Sequence, residues 1–260
     1  MLRRRNRLRQ RQDRRGNGSM TITSHGSLAP SCVSVRNVGR SATCARSAMC
    51  CTIRRITFAS CYVYSPCGSS AACERSRLLR AMLKSGDAHF IVKYAFRVRQ
   101  QVVDESPLAG FVCPDQVLVP VPASARSTAG TMTVAEHLAT AMAEAGLGGG
   151  IWNGLRRVRP VRKSATAPPG SRPTVANHYD SFAIEAATAL PPRVVLVDDV
   201  ITKGRTLLAA AARLQNAFPA AEIRAFAMLR TMGLVQGVDH LLDPCVGEIR
   251  WSEGDAYRSP

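Results

Sequence analysis

From about residue 78 onward the hydrophobic positions fall into short runs that switch between helical and extended period. Leu78, Leu79, Met82 and Leu83 recur at helical spacing. A second helical pattern sets Phe90, Ile91, Tyr94, Ala95 and Val98 on one side against Lys93, Arg97 and Arg99 on the other. Residues 116–121 predict a short apolar strand, ended by Pro120 and Pro122. Residues 133–145 predict a helix with Val134, Leu138, Ala141, Met142 and Ala145 inward; Thr133 and Glu136 have capping-box spacing and Gly146 suits the stop. Residues 155–161 predict a second strand, and 163–177, rich in Pro, Ser, Thr and Ala, a long mobile loop. Residues 194–198 form a third strand and 207–218 an Ala/Leu-rich helix. Residues 222–229 form a fourth strand with Ile223, Ala225, Ala227 and Leu229 inward, and 245–250 a fifth. Strands alternating with helices predict an α/β domain, a mainly parallel central sheet flanked by helices.

Residues 1–75 show neither period, and their charge sets them apart. They hold 14 Arg and no Lys against Asp13 and Glu74 alone, giving +12 of the chain's +17. Residues 76–260, with 21 basic and 16 acidic side chains, carry +5. The division expected is therefore a basic, Cys/Arg/Ser-rich extension over 1–75 and an ordinary globular domain over 76–260. Seven of the nine cysteines (Cys32, Cys44, Cys50, Cys51, Cys61, Cys67 and Cys73) lie in the extension. No C-x-x-C pair occurs among them, which argues against structural zinc, and their odd number argues against a disulfide framework. Three readings of the segment stand. It is a largely disordered stretch whose Arg, Ser, Ala and Cys enrichment matches off-frame GC-rich codons, or a basic arm meeting nucleic acid through residues 1–15, or a degenerate Cys-rich module; the first is expected. No stretch approaches the roughly 20 apolar residues of a membrane span. The first 30 residues lack an apolar secretory core. A cytoplasmic protein with reduced thiols and no membrane contact is expected.

The densest chemistry lies in residues 193–206, Arg-Val-Val-Leu-Val-Asp-Asp-Val-Ile-Thr-Lys-Gly-Arg-Thr. A buried strand delivers the adjacent carboxylates Asp198 and Asp199 at its carboxyl end. The small loop Thr202, Lys203, Gly204, Arg205, Thr206 then opens a helix. Unpaired amides and the helix dipole make such a junction an anion site, and Gly204 lets the backbone wrap a phosphate closely. Two carboxylates beside a phosphate cradle would repel the ligand on their own. They make sense if they accept hydrogen bonds from sugar hydroxyls or hold a divalent cation, and a phosphorylated ribose satisfies both halves.

This run resembles the phosphoribosyl-pyrophosphate signature of type I phosphoribosyltransferases: four apolar residues, two acids, two apolar residues, Thr, a variable residue, Gly, a variable residue, Thr. Upstream, residues 115–126 end a strand with two prolines before Ser124 and Arg126, and look like the pyrophosphate-loop segment of the ComF-type branch. That branch usually continues with Arg-Gly, an aromatic residue, Asn and Gln, where this chain has Arg126-Ser-Thr-Ala-Gly130. The resemblance implies transfer of phosphoribosyl from 5-phosphoribosyl 1-pyrophosphate to a nitrogen acceptor, with Mg²⁺ and release of pyrophosphate. It implies that Asp198 and Asp199 take the ribose hydroxyls and, indirectly, the metal. Thr202, Lys203, Gly204, Arg205 and Thr206 would grip the 5′-phosphate, largely through backbone N–H groups, and Ser124 and Arg126 the pyrophosphate. Arg162, Lys163 and Arg172 would belong to a flexible loop closing over the reaction. A homo-oligomer is compatible with the resemblance. The alternatives are a non-catalytic sensor of the same ligand and a ComF-like DNA-uptake accessory. His178 and Tyr179 are expected to pack rather than bind the acceptor, and Trp152 and Trp251 to be core. His89, His137 and His240 have no metal-site spacing.

Overall fold

Val194, Val195, Leu196 and Val197 are all buried, so the strand they belong to, β6 (Arg193–Ile201), is covered on both faces. The computed structural model that shows this describes residues 53–125, 130–162, 171–185, 192–233 and 237–260. The expectations made for residues 1–52, Arg126 and Lys163 lie outside the described residues. In chain order the elements before β6 are β1 (Arg55–Tyr64), α1 (Ala71–Lys84), α2 (Ala88–Gln101), β2 (Val117–Pro120) and α3 (Val134–Glu144), then β3 (Gly150–Ile151), β4 (Leu155–Arg157), α4 (Val175–Ser181) and β5 (Phe182–Ile184). After it come α5 (Arg205–Ala217), β7 (Glu222–Thr231), β8 (Leu242–Ser252) and β9 (Asp255–Ser259).

The central sheet has seven strands in the order β3-β2-β6-β7-β1-β8-β9. The first five run parallel, and β8 and β9 add an antiparallel end. The chain is thus α/β with a mostly parallel sheet. Alternate residues of each parallel strand feed two cores. Val194 and Leu196, Ala225 and Ala227, and Ile56 and Phe58 meet Leu207, Leu208 and Leu214 of α5 on one face. Val195 and Val197, Phe226 and Met228, and Ala59 and Cys61 meet Leu79, Leu83, Ile91, Leu138 and Met142 of α1, α2 and α3 on the other. Among the described residues no helix is long and apolar enough to cross a membrane.

Several expectations need correction. The domain does not start at residue 76, because β1 is an interior strand, hydrogen-bonded to β7 on one side and β8 on the other. Its sequence, Arg-Ile-Thr-Phe-Ala-Ser-Cys-Tyr-Val-Tyr, loses period-2 alternation after Phe58 because both faces are covered. For the same reason β7 has no single inward face: residues 225–229 are all buried. Leu78 points outward, 63% exposed, while Leu79 and Leu83 are buried. The strand expected over 155–161 shortens to β4, which leaves the main sheet and pairs antiparallel with β5. Its run of arginines has only one face to bury. The loop expected over 163–177 ends early. Thr174 and Asn177 form a reciprocal capping box that starts α4 at Val175.

The connections on either side of the sheet's centre run in opposite directions. From β2 the chain passes through α3 on one face and out to β3; from β6 it passes through α5 on the other face and on to β7. The crevice beyond the carboxyl ends of β2 and β6 is therefore a topological switch point, the place where open α/β sheets bind ligands.

Candidate functional site

β2 pairs with β6 only as far as Pro120 opposite Val197, with one further bond from Val121 N to the Val197 carbonyl at 2.9 Å. Beyond that point β6 keeps its partner β7, with Val200 opposite Leu229 and Ile201 opposite Arg230, but has lost β2. Asp198 and Asp199 occupy this half-paired stretch. Their carboxylates take up local amides instead: Asp198 Oδ1 accepts from Asp199 N and Asp199 Oδ1 from Val200 N, each at 2.8 Å.

The two acids differ in environment. Asp199 is buried and its Oδ2 forms an ion pair with the Lys84 ammonium, which reaches across from the last turn of α1. Asp198 is half-buried. Burial first, and then the adjacent Asp199 carboxylate, raises the pKa of Asp198 above the usual carboxylate range, while Lys84 pulls it partly back. Sequence reasoning missed Lys84, because a basic residue in the last turn of a helix is ordinary dipole compensation and carries no mark of a distant partner.

Residues 202–206 follow directly. Thr202 and Lys203 are exposed and Gly204 is buried with φ +82°. A Cβ at Gly204 would lie 2.7 Å from the Ile249 side chain of β8. Glycine is thus required by the left-handed backbone and by the strand packed behind it. α1, α2, α3 and α4 each receive a side-chain cap, from Ser70, Asp87, Thr133 and Thr174. α5 receives none, so its first-turn N–H groups have no side-chain acceptor at the crevice. The side chains of Lys203 and Arg205 turn to the terminal hairpin. Arg205 donates to Asp255 at 2.5 and 2.6 Å and to the Pro173 carbonyl at 3.1 Å, and Lys203 donates to Asp255 at 3.2 Å.

Ser124 lies in the loop that follows β2, where its carbonyl accepts from Val161 N at 2.9 Å. The neighbouring Pro122 carbonyl accepts from Arg157 of β4 at 3.0 Å, and Arg157 also donates to Ser181 at 2.5 Å and covers the Phe182 ring. Burial lowers the Arg157 pKa to about 10, with the charge of Asp198 acting in the opposite sense. Arg157 therefore joins the small β4–β5 sheet to the segment that follows β2. It too escaped sequence reasoning, hidden in a run of four arginines within residues 156–162. Arg162 donates to Ser171 at 3.5 Å, and Arg172 is exposed on the approach to α4.

His178 is 3% exposed, and among the described residues neither ring nitrogen has a hydrogen-bond partner. Burial, followed by repulsion from Arg157 and Arg205, depresses its pKa to about 4, so the imidazole is neutral. Tyr179 packs under Arg213, whose guanidinium lies 3.9 Å from the ring centroid, and its hydroxyl accepts from Asn216. Trp152 and Trp251 border the core on the α5 face. Among the described residues no three His, Cys, Asp or Glu side chains cluster as a metal site. Comparison with known proteins found no family model that matches the chain and no curated protein that matches it.

Proposed function

We propose that the chain is a phosphoribosyltransferase of the type I, ComF-like kind, which binds 5-phosphoribosyl 1-pyrophosphate with Mg²⁺ and transfers the phosphoribosyl group to a nitrogen acceptor. The observation that supports this most is the coincidence, at the switch point between β2 and β6, of an adjacent acid pair with the uncapped start of a thirteen-residue helix. A sugar that carries both hydroxyls and a phosphate needs those two recognition elements side by side.

In this reading the first-turn amides of α5 and the backbone of residues 202–206 hold the 5′-phosphate, with the helix dipole adding to the attraction. The carboxylates of Asp198 and Asp199 accept hydrogen bonds from the ribose hydroxyls and so orient the anomeric carbon. The bond from that carbon to the pyrophosphate oxygen breaks with its electron pair on oxygen, and the acceptor nitrogen forms the new bond. Positive charge that builds on the ribose in between lies near Asp198. Ser124 and Arg126 would take the leaving group, as the resemblance implies; Arg157 braces the chain just before them through the Pro122 carbonyl, and Lys84 reduces the charge of the acid pair. The hard carboxylate oxygens of Asp198 and Asp199 suit Mg²⁺ held through substrate or water oxygens, and the ion when bound would neutralise the pyrophosphate.

The test is pyrophosphate release from phosphoribosyl pyrophosphate and Mg²⁺ across a panel of nucleobases and amines. Acceptor-dependent release is expected. Tight binding with no release for any acceptor would convert the assignment to a sensor, and no binding would end it.

A further inference from the structure

The terminal hairpin grips the phosphate loop at consecutive points. β8 and β9 are joined by the two-residue turn Glu253-Gly254, with φ +49° and +83°, and Ser252 pairs with Asp255 across it. A turn with both central residues left-handed matches strand twist and is stiff, so it fixes where β9 begins. From this hairpin Arg258 donates to the Ile201 carbonyl at 3.3 Å and to the Thr231 carbonyl at 2.6 Å. Ile249 closes against Gly204. Asp255 takes both arms of Arg205 and the Lys203 ammonium, with the Tyr257 ring 5.9 Å from the latter. Every residue from 201 to 205 except Thr202 is thus held by β8 or β9, though about 50 residues separate the two segments.

We infer that the β8–β9 hairpin is a frame that preorganises the phosphate loop, and that Asp255 is a positioning residue which sets the loop's affinity for a sugar phosphate without touching it. The inference rests on the phosphoribosyl reading of the loop. The two-point pairing is directional, and Arg205 is only 20% exposed, so it is not an ordinary surface ion pair. Arg205 is the first residue of α5; fixing its guanidinium against Asp255 and the Pro173 carbonyl fixes the helix start whose amides meet the phosphate. The Arg205 hydrogen bonds in turn hold the Asp255 carboxyl at about 2, so the contact persists across the working pH range. A carboxylate placed beside an anion site would ordinarily weaken it. Here its charge is spent on two cations whose side chains face the hairpin, and the ligand keeps the amides.

The experiment titrates the full chain with ribose 5-phosphate and measures steady-state pyrophosphate release for wild type, Asp255→Asn and Asp255→Glu. Asp255→Asn is expected to weaken ribose 5-phosphate binding about tenfold and raise KM for phosphoribosyl pyrophosphate by a similar factor. kcat should stay within about twofold, because the 5′-phosphate is held equally in ground and transition states. Asp255→Glu, which keeps the charge but lengthens the arm, should fall between the two and guards against Asp255→Asn failing to fold. A merely structural role would lower melting temperature and active fraction without moving KM. Unchanged binding in both variants, or tighter binding in Asp255→Asn, overturns the inference while leaving the phosphoribosyl reading intact. No binding by the wild type overturns that reading, and this one with it.

Discussion

Removing residues 1–75 should destroy the fold, whereas removing residues 1–52 should not. The shorter chain loses β1, and with it Ile56, Phe58, Tyr62 and Val63, which are at most 4% exposed and packed into the cores on both faces. At about 1.5–3 kcal/mol for each large side chain buried, these four alone contribute roughly 6–12 kcal/mol, as much as the whole stability of a typical domain, about 5–15 kcal/mol. The loss also strips the hydrogen-bond partners of β7 and β8, leaving two unpaired edges in the middle of a sheet. The Ser70 cap of α1 goes as well. Thermal and urea unfolding followed by circular dichroism would compare the full chain with chains starting at Ile53 and at Ser76. The chain from Ile53 should show the full chain's cooperative transition, and the chain from Ser76 should show none. A cooperative transition at the full melting temperature from the chain starting at Ser76 would refute the placement of β1.

Lys84→Met leaves Asp199 buried without its ion pair. Because the lysine side chain is 48% exposed, the cost should be about 1–2 kcal/mol rather than that of a fully enclosed pair. Lys84 lowers the Asp198 pKa, so its loss should also move the acid limb of the pyrophosphate-release rate to higher pH, measured as a pH–rate profile. His178 is neutral down to about pH 4 in the folded chain but titrates near 6.5 when unfolded. The unfolded state therefore takes up a proton first, and stability present in full above about 6.5 is lost as pH falls towards 4, by up to about 3 kcal/mol. His178→Leu should flatten the melting temperature across that window, and an unchanged slope would contradict the burial argument. Gly204→Val places a branched side chain on a left-handed residue against Ile249. It should cost about 2–4 kcal/mol in urea unfolding, so ligand loss in that variant could not be assigned to the cradle alone.

Much of the candidate site's local geometry was legible because its signal is contiguous in sequence. A strand, two acids, a loop with Gly204 and a helix start are contiguous in residues 193–206, and their order dictates what lies beside what. The parallel sheet was legible for a related reason: β2, β6 and β7 read as short apolar runs separated by helical period. What was not legible depends on distance in sequence. Lys84 meets Asp199, Asp255 meets Arg205 and Arg157 meets Pro122 across stretches that no local pattern spans. β1 was obscured because it is covered on both faces and composed of Ser, Cys, Thr and Tyr among its apolar residues, set beside an arginine-rich stretch that drew attention to charge. Asp255 gave no signal at all, since an acid after a Glu-Gly turn is what any exposed hairpin carries.

The most direct test of the phosphoribosyl assignment is isothermal titration calorimetry of the full chain with phosphoribosyl pyrophosphate in the presence of Mg²⁺, repeated on the double variant Asp198→Asn, Asp199→Asn. One-site binding by the wild type is expected, with at least a tenfold loss in the double variant; both substitutions preserve size and the local amide acceptors, so cooperative unfolding should persist, with the melting temperature lowered only by the lost Lys84–Asp199 ion pair. Absence of binding by the wild type, or equal affinity in the double variant, would contradict the assignment of this crevice to a phosphorylated ribose.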